Sequence, residues 1–437
     1  MNHANQLNKN IANAQPVTAV IVGAGHRSLL YASYASKHPD QLRIVGIVEP
    51  DPVRRHLTAD KFSLSPECCF ETVEQLVAGP RISEAAINGT MDHLHIQTTI
   101  PLLEAGYHVL LEKPIGTTED EIYVLHQKAK EHNRIVMICH VLRYAPFYVE
   151  IRKRIEAGDI GEVVNIQTAE HVSYHHMAVS FIRGKWNSKE TCKSSMLMAK
   201  CCHDLDIISW MTGEIRPTRV SSFRGLMHFI AKHAPVGSGK RCLVDCKIEE
   251  SCPYSARKHY IEQGRWGFYV WENDFLGIAP TEDEKLDILR TSSPYGRCVW
   301  HCDNDVVDRQ SVIVEFENGS TATHSMIGGT SKPCRTLFIV GTKGEIQGTL
   351  EDGSFVVRHP DARAGYEYTE ELVTVKVTND SHGGGDLLLV NDFVRVLRGE
   401  KPSLSSTSLE KSVYGHLIGF SAECSRLENR IVEIGAL

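Results

Sequence analysis

The amino-acid sequence predicts an α/β protein that opens with a doubly wound parallel sheet. Two observations carry this. Residues 17–28, "VTAVIVGAGHRS", run a β-branched strand into a glycine turn; "LLYASYASKH" then has helical period, and "LRIVGIVEP" is a second apolar run. Strand, turn, helix and strand within about 33 residues make one crossover unit of a parallel sheet. The alternation also continues. "SEAAINGT", "YHVLLEKP" and "RIVMICH" read as strands, with "DHLHIQTTIPLLEAG" and "TEDEIYVLHQKAKEHN" as the helices between them. Crossover helices return the chain to the same end of the sheet, so the strands pair in parallel.

The 437 residues suggest two or three domains of about 100–200 residues each. With 42% hydrophobic and 23% charged residues, the chain can bury a large core. A net charge of -7 gives no basic footprint for nucleic acid. No apolar run approaches the ~20 residues of a membrane span. Residues 1–16 lack the apolar stretch of a secretory signal and read as a flexible polar tail. A dinucleotide-binding domain is expected over 17–141 and a second domain over 142–437. The expected location is cytoplasmic, where the 13 cysteines would stay reduced.

In the glycine turn, Gly23 allows the tight reversal and Gly25 lets backbone approach a pyrophosphate at the helix N-terminus. His26 and Arg27 open that helix and belong to the same cofactor site. Ser28 replaces the third glycine of the G-x-G-x-x-G pattern; it is small enough for close packing. Glu49 ends the second strand. A carboxylate there can accept from a ribose hydroxyl and repels a 2′-phosphate, so NAD is expected rather than NADP. Ligands of such sheets sit beyond the carboxyl ends of the strands, which singles out Glu112-Lys113-Pro114 and His140.

"AGYHVLLEKPIGTTEDE" resembles the glucose–fructose oxidoreductase/inositol dehydrogenase/rhizopine catabolism family, Gfo/Idh/MocA. Further matches follow in order: "IVGAGHRS", "TMDHLH", "HVLRYAPFY", "KCCHDLDIISWMTG", "NDVVDRQSVIVEFENGS" and "GGGDLLLVNDFVRVL". The resemblance implies a Rossmann domain followed by an α/β domain with a large, mostly antiparallel sheet. It also implies a homo-oligomer and NAD-dependent hydride transfer at a carbinol carbon of a sugar or polyol.

Such a transfer needs a base for the hydroxyl proton and a positive charge for the developing alkoxide. Lys113 resembles the family's E-K-P lysine, and His203 in "CCHDLD" its catalytic histidine. Asp206 is a helical neighbour that could orient the imidazole or cap a loop. Polyol dehydrogenases of the family often carry Asp four residues before the histidine. Here that residue is Ala199, followed by Lys200, which could supply a second positive charge. This departure speaks against an inositol substrate. In residues 170–188, a polar loop by composition, His175, His176, Arg183 and Trp186 are candidates to hold hydroxyls and a flat sugar face. Arg143 and Tyr144 are further pocket candidates, and His382 another. Two other readings share these residues. One is a glycoside-cleaving relative that oxidises, eliminates and returns the hydride to bound NAD. The other is a non-catalytic nucleotide sensor.

Between about 226 and 310 the strand pattern is interrupted by an insertion with Cys242, Cys246 and Cys252 at short spacing. Cys298 or Cys302, four apart in a strand-like run, would complete four ligands for structural zinc, which prefers a sulfur tetrahedron. His228, His259 and His301 are alternative ligands. Plain reduced thiols, an iron–sulfur cluster or a redox disulfide are the other readings of the same residues.

Overall fold

Residues 15–376 and 381–435 are described by the computed structural model; residues 1–14 of the expected polar tail lie outside them. Strands β1 (Val17–Val22), β2 (Leu42–Val48), β3 (Cys69–Phe70), β4 (Ala85–Asn88), β5 (His108–Leu111) and β6 (Val136–Ile138) form a parallel sheet in the order β3-β2-β1-β4-β5-β6. Helices α1 (His26–Lys37), α2 (Pro52–Phe62), α3 (His95–Glu104) and α4 (Glu119–Glu131) are its crossovers. Local sequence sets their starts. Asp51 accepts from Arg54 N at 2.8 Å to cap α2, with Pro52 in the first turn. Thr118 and Glu121 form a reciprocal capping box on α4, the kind of cap worth ~1 kcal/mol. Strand order reverses between β1 and β4, which opens a crevice beyond their carboxyl ends.

The second sheet has nine strands: β7 (Val163–Ser173), β8 (Pro217–Gly225), β9 (Arg309–Phe316), β10 (Thr321–Thr330), β11 (Cys334–Gly341), β12 (Glu345–Thr349), β13 (Ser354–Pro360), β14 (Tyr368–Thr374) and β15 (Val432–Glu433). Their order is β14-β13-β12-β11-β7-β10-β9-β8-β15, and only the β7–β10 pair is parallel. Strand β9 shows why one face is covered: Gln310, Val312, Val314 and Phe316 alternate inward while their neighbours face out. Each buried Val or Phe of this kind contributes ~1.5–3 kcal/mol.

Helices α5 (Pro146–Glu156), α6 (Met196–Met211), α7 (Glu282–Arg290), α8 (Gly385–Leu397) and α9 (Leu409–Glu428) complete the described set of longer helices. Every residue of α6 except Lys200 is buried. Two glycines of α9 make this possible. A Cβ on Gly415 would lie 2.9 Å from the Asp206 backbone, and one on Gly419 would lie 2.1 Å from Met198 Sδ. The two helices therefore meet backbone to backbone. The chain also returns to the first sheet: Asn391 on α8 donates to the Tyr34 hydroxyl of α1 at 2.7 Å.

Two stretches differ from their sequence reading. Residues 170–188 are not a polar loop: β7 runs into a helical turn at Tyr174–His176 and a buried helical segment, Met177–Ile182. Cys298 and Cys302 are not in a strand. The chain turns sharply at Pro294–Gly296, where Gly296 sits so close to Leu289 that a Cβ would fall 1.9 Å from its carbonyl oxygen. Cys302 Sγ then folds back to donate to Cys298 O at 3.2 Å. Residues 226–308 otherwise form short turns and helices around their own apolar cluster, with Tyr260, Trp271 and Leu289 at its centre.

Candidate active site

The first turn after β1 is built for close approach. Gly23 has φ +79, and a Cβ there would press on Thr90 backbone at 3.2 Å. Gly25 precedes α1, and a Cβ there would meet only Gly89 O, at an ordinary contact of 3.9 Å. Ser28 takes the position of the missing third glycine because Gly89 yields instead: a Cβ on Gly89 would sit 2.2 Å from Ser28 Oγ. Glu49 is buried and points back at this turn. It accepts from Ala24 N at 2.7 Å and from Asp51 N at 3.0 Å, and pairs with Arg54 at 3.1 Å.

Glu112 and Lys113 follow β5. Glu112 accepts from Arg27 Nε and the Tyr31 hydroxyl, each at 2.9 Å, and Arg27 also pairs with Asp386. Burial alone would raise the Glu112 pKa; the Arg27 and Lys113 charges more than offset this, and it sits below the usual carboxylate range. The Lys113 ammonium donates to Ala199 O at 2.8 Å. Burial works to lower its pKa, but the surrounding Cys202, Glu112, Asp92 and Tyr269 hold it above the ordinary lysine value. It is a stable cation in a confined place.

His203 lies one turn after Ala199 on α6. Burial, then the Lys113 charge and the neighbouring His382 and His140, push its pKa well below 6.5. Its ring sits 5.8 Å from His140 and 5.4 Å from His382, and its Nδ1 has no hydrogen-bond partner among the described residues. The imidazole is therefore neutral and able to accept a proton. His382 Nδ1 in turn lies 3.3 Å from Asp386.

Glu112, Lys113, His203 and His382 share one cavity of ≈ 150 Å³, which also receives Gly25, His26, Arg27, His176, Trp186 and Lys200. The Lys200 ammonium pairs with buried Glu170 at 3.0 Å. Lys185 lies over the Trp186 ring at 4.4 Å. The insertion closes the cavity. Trp266 stacks on His176 at 4.6 Å, Phe268 stacks on His26 at 4.3 Å, and Tyr269 lines the wall.

Several sequence candidates fall elsewhere: Gly23, Glu49 and His140 are not in the lining of this cavity. Arg143 is buried beside α6, donating to both oxygens of Asp206 at 2.7 Å, to Glu214 and to Lys411 O. That pairing occupies Asp206, which therefore does not orient His203. Tyr144 donates to Asp392 at 2.9 Å. His175 accepts from Trp266 Nε1 at 3.1 Å. Arg183 points away from the cavity, toward the cysteines. Cys242, Cys246, Cys252 and Cys298 line a second, small pocket with Arg183; Cys302, His228, His259 and His301 do not. Thr90, Met91, Asp92, Ser180, Phe181, Lys185 and Tyr269 line the main cavity without having been singled out in the sequence. "TMDHLH" carried a signal for the first three; Tyr269 lies in the insertion, where no pattern pointed to it.

The chain matches the family model "Oxidoreductase family, NAD-binding Rossmann fold" over residues 17–140 and "Oxidoreductase family, C-terminal alpha/beta domain" over residues 152–414. It belongs to the Gfo/Idh/MocA oxidoreductase family. As a member it is an NAD-dependent, dehydrogenase-like enzyme. It is 25% identical over 375 residues to YteT of Bacillus subtilis (strain 168), which carries an oxidoreductase name, covering 80% of this chain and 81% of that one. It is 22% identical over 194 residues to an inositol 2-dehydrogenase of Corynebacterium glutamicum (strain R), covering 44% of this chain and 53% of that one. A solved levoglucosan dehydrogenase, complexed with NADH and L-sorbose, shares the fold: TM-score 0.69, 17% identity, 97% of this chain and 100% of that chain. No helix among the described residues is long and apolar enough to cross a membrane.

Proposed function

We propose that this enzyme oxidises or reduces a carbinol carbon of a sugar or sugar derivative, with Lys113 and His203 at the reacting hydroxyl. The observation that carries this is their placement: a cationic ammonium fixed one helical turn from a neutral imidazole, in a cavity shared with the glycine turn. The residues fit NAD. Gly23 holds the turn at φ +79, pressed against Thr90, and the backbone at Gly25 and His26 lines the cavity and would hold the pyrophosphate, with Arg27 beside it. Bound nicotinamide supplies the hydride acceptor or donor. His203 accepts the hydroxyl proton, and Lys113 stabilises the negative oxygen. Trp186 and Tyr269 offer flat faces, while His176, Lys185, Lys200 and Asp92 offer polar contacts suited to several hydroxyls.

A second reading, cleavage of a glycoside with NAD retained, has one observation in its favour. Phe268 of the insertion stacks on His26 at the start of α1, which suits a cofactor kept in place through the cycle. Sugars, sugar acids and glycosides screened with NAD separate the two. Accumulating NADH supports net oxidation, and aglycone release without NADH supports cleavage. Neither product with any of them would overturn both readings.

Assembly into a homo-oligomer through the outer face of the nine-stranded sheet belongs to the same proposal. Phe223, Ile313 and Leu372 are exposed on that face, and light scattering showing only monomer would overturn it.

A further inference from the structure

We infer that Lys185 is a cofactor-binding residue: its ammonium, carried by the second domain, pairs with the pyrophosphate of NAD held at the glycine turn. This rests on the cofactor fit argued above. It moves Lys185 from the substrate's contacts to the cofactor's, and leaves His176, Lys200 and Asp92 for the hydroxyls.

Place is the first observation. Lys185 follows the helical segment Met177–Ile182 of the second domain and reaches across to the first, where its ammonium lies 3.5 Å from Met91 Sδ. Met91 continues the segment after β4 that packs on the glycine turn. A Cβ on Gly23 would sit 3.2 Å from Thr90, and one on Gly25 would sit 3.9 Å from Gly89 O. Lys185 and the start of α1 line the same cavity. His26 registers the charge: burial first, then Arg27 and to a smaller extent Lys185, bring its pKa down to about 4.

Open hydrogen-bonding capacity is the second observation. Arg27 pairs with Glu112 and Asp386, Lys200 pairs with Glu170 at 3.0 Å, and Lys113 donates to Ala199 O at 2.8 Å. The contacts of Lys185 are softer. Its ammonium lies over the Trp186 ring at 4.4 Å and against the Met91 thioether, a weak acceptor. Among the described residues no carboxylate pairs with it. The ring holds the ammonium in place without neutralising it.

Charge balance decides what the ammonium meets. Helix α1 starts without a side-chain cap and without an acidic residue in its first turn, so its free N–H groups are open to an anion. A helix N-terminus contributes roughly half a positive charge, against the double negative charge of a pyrophosphate. Arg27 adds little, because Glu112 and Asp386 already balance it. Lys185 supplies the missing cation, and a cofactor so held is gripped by both domains.

The test is calorimetric titration of full-length enzyme with NAD and with ADP-ribose, which keeps the pyrophosphate and lacks the nicotinamide. Lys185→Met should raise both Kd values by the same factor, about ten- to a hundred-fold, the range of a lost charge-assisted hydrogen bond. Lys185→Arg, which keeps the charge, should recover most of the loss. Lys185 is exposed, so neither change disturbs a packed core. Unchanged Kd values in Lys185→Met would overturn the assignment and return Lys185 to the substrate. A loss for NAD alone would place Lys185 at the nicotinamide and overturn it as well. So would a loss that Lys185→Arg does not recover, since charge would then not be the cause. Wild-type enzyme that binds neither ligand would overturn the proposed function along with it.

Discussion

The Lys113 ammonium donates to the carbonyl of Ala199 at 2.8 Å, and so reaches α6 one turn before His203. An end of the parallel sheet and a helix of the second domain are thereby joined at the candidate site. The bond uses one of three ammonium protons and leaves the others for a substrate oxygen. The Glu112 carboxylate is held mainly by Arg27, so it fixes the strand end without quenching Lys113.

Replacing Lys113 by Met removes that charge while keeping the stem. Turnover should fall about 10²–10⁴-fold, with NAD binding by calorimetry retained. Unchanged turnover would remove Lys113 from the mechanism.

His203→Gln should cost a similar factor. The wild-type pH profile is more telling. A histidine whose pKa lies well below 6.5 is already unprotonated at neutral pH. The acid limb of kcat/KM for oxidation should therefore lie well below pH 6.5. An inflection at 6.5 that vanishes in His203→Gln would contradict this placement.

The parallel sheet, the glycine turn, Lys113 and His203 were legible because each rests on local pattern: strand ends, a fixed turn and short motifs. Arg143 and Asp206 were not. Both look like pocket residues from their neighbours in sequence, but they meet across α6 and neutralise each other. Arg183 was misplaced for a related reason, since its partners come from more than fifty residues further along the chain. Tyr269 and Phe268 were invisible because the insertion has no period to read; its structure depends on contacts with the cavity it covers.

The Arg143–Asp206 pair predicts a stability effect rather than a catalytic one. Asp206→Asn leaves a buried guanidinium with only the partly buried Glu214 carboxylate and the Lys411 carbonyl as anionic or carbonyl partners. A loss of ~3 kcal/mol or more is expected in urea unfolding. Arg143→Met combined with Asp206→Leu should recover much of it. A neutral single variant would show that the pair is already solvated.

Phe268→Ala removes the ring stacked on His26 at 4.3 Å and 17°. Stacked pairs are worth ~0.5–1.5 kcal/mol, so if the insertion covers the cofactor, the Kd for NAD should rise about two- to ten-fold. Fluorescence titration reads this directly. An unchanged Kd would mean that Phe268 packs beside the site without closing it.

Acid should unfold the protein earlier than its carboxylates alone would suggest. Burial lowers His26, His108, His175 and His259 to about 4, and His416 to about 3; it also holds His140, His176, His203, His324 and His382 below 6.5. The unfolded chain takes up protons near pH 6.5 that the folded chain refuses. Stability is therefore full above about 6.5 and falls as pH drops toward the folded values, by up to ~1.4 kcal/mol per pH unit for each such histidine. At His416 burial is the main cause, and the geometry adds to it: its Nε2 accepts from Ile115 N at 2.9 Å, which a protonated ring cannot do. The Tm should be level from pH 8 to 7 and then decline steeply to pH 5. A Tm that holds constant across that range would mean these rings are hydrated and free to charge in the folded state.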